Sequence, residues 1–91
     1  MLIVGSSSEI GAMAKPRNIV GPQIRALRDR LGLSQEALAA KCTVKGFDLS
    51  RSTLAKIEAQ LRCVTDGELL AIAEAFRVSP LALFPPDKRR H

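Results

Sequence analysis

The sequence predicts an all-α fold, a compact bundle of five helices, on three observations. The 91 residues hold no Trp or Tyr and only three Phe, so the core must be built from Leu, Ile, Val and Ala. Apolar residues recur at helical spacing along most of the chain, and nothing alternates long enough to read as a strand. Helix starts and stops punctuate the segments, Gly21-Pro22, Gly32, Ser34, Ser50, Thr65 and Ser79-Pro80 among them. A chain of this length allows one small domain, with little room for a second core.

Residues 1–18 are expected to be a flexible leader or a segment extraneous to the domain, since GSSSEIGAMAKPRN lacks sustained periodicity and Met13 would serve equally well as a start. The opening MLIV is far too short for a signal peptide's apolar region or a membrane span. The domain proper is read as 19–86, and 87–91 as a basic tail. Its first helix starts at Gly21-Pro22, with Pro well placed at the first helical position. Ile24, Leu27 and Leu31 share one face, and Gly32 supplies a left-handed stop. Ser34 caps a second helix that continues to about Lys45, with Ala37, Leu38, the stem of Lys41 and Cys42 inward.

Gly46-Phe47-Asp48-Leu49 then forms a turn that tucks Phe47 and Leu49 toward the core. Ser50 caps a third helix, with Leu54, Ile57 and Leu61 facing in. Thr65-Asp66-Gly67-Glu68 is a capping box opening a fourth helix, on which Leu69, Leu70, Ile72, Ala73 and Phe76 are apolar. Ser79-Pro80 starts a short fifth helix through about Leu83, and Pro85-Pro86 ends it.

The formal charge of +5 favours a polyanionic partner, and it is unevenly spread. From Lys15 to Arg62, ten Lys or Arg face Asp29, Glu36, Asp48 and Glu58, a net of +6. From Cys63 to Asp87, only Arg77 faces Asp66, Glu68, Glu74 and Asp87, a net of −3. Cys42 and Cys63 have neither motif spacing nor a secretory context, so reduced thiols in a cytoplasmic protein are expected. Catalysis is the poorest reading. The only His is the last residue, there is no Gly-rich phosphate loop, and no Cys/His cluster has zinc spacing, so no metal or cofactor is expected.

The stretch LSQEALAAKCTVKGFDLSRSTLAKIE, Leu33 to Glu58, is the most informative. It reads as two amphipathic helices joined by a connection about four residues longer than the usual turn of such a pair. Leu54 and Ile57 face inward on the second of them, leaving Arg51, Ser52, Ala55 and Lys56 outward. With IRALRDRLGLSQEALAAK before it and TDGELLAIAEAFRVSPLALF after it, the chain resembles the Cro/repressor-type (XRE-like) helix-turn-helix domains, a lambda-repressor-like bundle, from about Val20 to Phe84.

The resemblance implies a sequence-specific regulator of transcription, most simply a repressor, that binds double-stranded DNA as a homodimer with the third helix in the major groove. It implies base reading by Arg51, Ser52 and Lys56, a guanidinium being able to bond both O6 and N7 of guanine. It implies backbone contacts by Ser34, Gln35, Thr53 and Arg62, and a structural ion pair between Arg28 and Glu58. Helix 5, with Leu81, Leu83 and Phe84, is the first candidate for the dimer surface. The alternative is a protein-interaction module, or an antitoxin-like partner, on the same fold. The lengthened connection is the departure from the family's pattern.

Overall fold

The computed structural model describes residues 15–88, which form four α-helices: α1 (Gly21–Arg30), α2 (Gln35–Val44), α3 (Arg51–Glu58) and α4 (Asp66–Phe76). The class is all-α, and the expected fifth helix is instead a four-residue 3₁₀ turn, Pro80–Leu83, followed by a second, Pro86–Lys88. The reason is local: a residue before proline is pushed out of the helical region, and Phe84, before Pro85, is extended at ψ 152°. The expectations placed on residues 1–14 and on Arg89–His91 lie outside the described residues. No helix among the described residues is long and apolar enough to cross a membrane.

Three helices start on a side-chain cap. Ser34 accepts from the Ala37 N–H, Ser50 from that of Thr53, and Thr65 from that of Glu68, whose carboxylate returns to the Thr65 N–H. All four helices end in a left-handed residue, at Gly32, Gly46, Gln60 and Arg77. Each is followed by an N–H that bonds back across the last turn, such as Phe47 to the Cys42 carbonyl at 3.0 Å. Gly46 sits at φ 96°, which an L side chain rarely adopts. This closure ends α2 and turns the chain into the connection of residues 45–50.

Ile24, Leu38, Cys42, Leu54, Ile57, Ile72 and Leu83 are fully buried and form the centre of the core. In it α2 packs against both α3 and α4, and α1 packs against α3 and the first 3₁₀ turn. Leu49, in the connection, is also buried. Four inward assignments are corrected, the first that of Phe47, which is exposed while Leu49 beside it is buried. Leu31 and Leu61 are 53% and 63% exposed, because each lies past the last turn of its helix, where the chain has left the apolar face. On α2 it is Ala39 that is buried, while Lys41 is exposed. Leu70 on α4 is also largely exposed. Cys42 and Cys63 are free thiols, and burial pushes that of Cys42 up to about 11, which leaves it an inert core group.

Candidate nucleic-acid interface

The outward face of α3 follows from its inward one. With Leu54 and Ile57 wholly buried, the 3.6-residue repeat turns Ser52 and Lys56 to solvent, while Arg51 is open because it begins the helix, and all three are exposed. At its N-terminal end the Ser50 hydroxyl is a local hub. It lies 3.2 Å from the Ser52 hydroxyl, donates to that of Thr53 at 3.0 Å and accepts the Thr53 N–H at 3.1 Å. Thr53 is half-buried by this arrangement, whereas Ser52 and Arg51 stand clear.

The other end of α3 is densely bonded. Glu58, only 8% exposed, accepts from Arg28 Nε at 2.8 Å and Nη2 at 3.0 Å, a two-pronged pair from α1 to α3. The bonds to Glu58 push the Arg28 guanidinium above its ordinary value, against the opposing effect of burial. Arg28 Nη1 also donates to the Leu33 carbonyl at 2.8 Å, which ties down the turn into α2. Gln35, in the first turn of α2, donates its side-chain N–H to the same Glu58 at 3.0 Å. One carboxylate thus joins α1, α2 and α3.

Asn18 completes this end. Its amide nitrogen donates to the carbonyls of Ile57 at 3.0 Å and Arg62 at 2.8 Å, and its oxygen accepts the Gly21 N–H at 2.7 Å. Gln60, at φ 63°, donates back to the Asn18 carbonyl at 2.9 Å. Gly21 lets the start of α1 press directly on α3. A Cβ there would collide with the Ile57 carbonyl oxygen and lie 2.9 Å from that of Glu58.

Between α1, the start of α2 and the start of α3 lies an open depression lined by Arg25, Arg28, Ser34, Gln35, Glu36 and Arg51. It brings Ser34 and Gln35 beside Arg51, three of the residues singled out from the sequence. The first N–H groups of α2 have no carbonyl partner inside the helix, so this end presents the positive side of the helix dipole. Such an end, next to guanidinium groups, suits a phosphate. Arg25 was not among the candidate residues. It is three positions before Arg28 on the same face of α1, and its side chain is 69% exposed, 3.9 Å from Asp29. That spacing was the signal available for it.

Arg62 stands apart from this group. Its guanidinium holds both oxygens of Glu68 at 2.9 Å and the Cys63 carbonyl at 3.0 Å, so it faces the cap of α4. These bonds push Arg62 up, and they hold the Glu68 carboxyl below its usual range, with the Thr65 N–H helping and burial opposing. The capping box was legible, but its Glu was assigned to the cap alone, and a carboxylate has lone pairs for both partners.

A helix-turn-helix family model of the Cro/repressor type matches residues 24–83, more than half of the chain, and spans α2, the connection and α3. No curated protein and no solved structure gave a match. The all-helical core, the capped α2 and the outward face of α3 agree with that match, and the chain belongs to the Cro/repressor-type helix-turn-helix family, a family of DNA-binding transcription regulators.

Proposed function

We propose that this protein is a sequence-specific repressor that binds double-stranded DNA in the cytoplasm as a homodimer, with α3 in the major groove. The observation that carries this is the contrast on α3: Glu58 fixes its inner side to α1 and α2, while Arg51, Ser52 and Lys56 are exposed, Arg51 beside the start of α2. In this reading Arg51 bonds a guanine edge, with Ser52 and Lys56 reading neighbouring positions. The Ser34 and Gln35 end of α2, together with Arg25 and Thr53, holds the phosphate backbone and sets the register. Gln35 can do this with its second amide hydrogen, since only one goes to Glu58.

One recognition helix per chain makes a two-fold site natural, with half-sites about one helical turn apart. Of the residues first considered for the dimer surface, Leu83 is wholly buried and closes the core, whereas Leu81 is 52% exposed. The surface around Leu81 is therefore the better place for the second copy.

The test is selection of bound fragments from a random duplex pool, run with wild type and Arg51→Ala in parallel. Wild type should enrich a two-fold motif, and Arg51→Ala should lose discrimination at one position per half-site, by about 1–3 kcal/mol. Enrichment of the same motif, equally well, by the variant would remove Arg51 from the reading set. Binding of random duplex should fall steeply with salt, whereas a pure protein-interaction module would bind none even at low salt.

A further inference from the structure

We propose that Phe47 is a positioning residue for DNA reading: its ring, seated on Gly67, latches the long connection to α4 and so sets the N-terminal end of α3. The proposal rests on α3 being the reading helix.

The geometry that points to it is a close approach. A Cβ on Gly67 would lie 2.7 Å from Phe47 Cζ and 3.1 Å from Cε1, so the ring covers the space that any other residue's side chain would take. Phe47 is 37% exposed, and its ring therefore lies on the surface of α4, outside the deep core. The Phe47 N–H bonds the Cys42 carbonyl at 3.0 Å, and the Leu49 N–H bonds the Phe47 carbonyl at 3.0 Å. Together they make Phe47 the pivot between the end of α2 and buried Leu49, directly before the Ser50 cap.

The two ends of α3 differ in how they are held. Its C-terminal end has the Arg28, Gln35 and Asn18 bonds, so it does not depend on the connection. Its N-terminal end, which carries Arg51 and Ser52, is held by buried Leu54 and by residues 45–50. Within that connection, Leu49 and the ring of Phe47 are the apolar anchors, while Lys45, Asp48 and Ser50 are exposed. Reading a base edge depends on small displacements of the reading side chain, whereas phosphate attraction does not. Freeing the ring should thus cost sequence discrimination before it costs DNA binding.

The test compares wild type with Phe47→Ala and Gly67→Ala, using a duplex enriched by wild type and a random-sequence duplex. Gly67→Ala improves the helix propensity of α4 while displacing the ring, so it separates the latch from plain stability. Both variants should lower the ratio of selected to random binding about tenfold, with random binding kept within about twofold. Amide hydrogen exchange at Thr53 and Leu54 should quicken about tenfold, with the amides of Ile72 and Ala73 unchanged. An unchanged ratio overturns the proposal, as does an equal loss on both duplexes. If wild type enriches no duplex, the reading role of α3 falls, and exchange alone then decides the latch. Unchanged protection at Thr53 and Leu54 overturns it, and lost protection upholds it.

Discussion

The two ends of α3 are built on opposite principles. At the C-terminal end, side chains from three segments of the chain converge on Ile57, Glu58 and Arg62, mostly through charged or amide groups at 2.7 to 3.0 Å. At the N-terminal end, the bonds are local ones among Ser50, Ser52 and Thr53, and the larger side chains point into solvent. A helix held rigidly at one end and left open at the other can present side chains to a partner without giving up its packing angle. The first end is built for stability, the second for contact.

The sharpest way to break this contrast is at the fixed end. Gly21→Ala places a methyl group on the Ile57 carbonyl, and backbone cannot move aside as a side-chain tip can. The expected loss is about 3 kcal/mol or more, read as a lowered midpoint in chemical denaturation. A variant as stable as wild type would mean that α1 can shift on α3, and that the fixed end is not fixed.

Next in size is Glu58→Ala, which leaves Arg28 with only exposed Asp29, at 3.5 Å, as an ionic partner and the Gln35 amide without its acceptor. A loss of about 2–3 kcal/mol is expected, below that of a fully enclosed pair because Arg28 retains the Leu33 carbonyl. Replacing Arg28 and Glu58 together by Met should recover most of it. If the double variant is no better than the single, the network acts through geometry and not through a stranded charge.

The smallest effect concerns the Arg62–Glu68 pair, which lies beyond the fixed end. Glu68 titrates below its unfolded value, so its contribution is complete above the ordinary carboxylate range and is lost as pH falls through the folded value. With Arg62 about a third exposed, the contribution should be about 1 kcal/mol. Thermal melts recorded between roughly pH 6 and pH 2 should show a shallower acid decline in Glu68→Gln than in wild type. Identical slopes would assign the acid sensitivity to other carboxylates.

What could be read from the sequence follows the same division between local and distant. Ser34, Ser50 and Thr65 were legible as caps because a cap and its N–H lie three residues apart. Buried Leu54 and Ile57, with Ser52 and Lys56 opposite them, follow from periodicity alone, whereas Arg51 shares the flank of Leu54 and is open because it begins the helix. Leu31 and Leu61 were misread because periodicity does not say where a helix stops. Asn18 escaped notice because its acceptors lie 39 and 44 residues away, a pairing with no local pattern. The bond from Arg62 to Glu68 was not legible because a basic residue after α3 says nothing of a carboxylate six residues on.

Asn18 also bears on what the folded unit includes. Its bond to the Arg62 carbonyl closes a loop of 44 residues that contains α1, α2 and α3 entire. Bringing the ends of so long a loop together costs chain entropy that local helix formation does not repay. The clasp therefore depends on α1, α2 and α3 packing together. The α2–α3 pair cut out on its own lacks the clasp and has no α1 or α4 to cover Leu54, Ile57 and Leu38. Asn18 thus makes the segment before α1 part of the bundle and ties it to the end of α3.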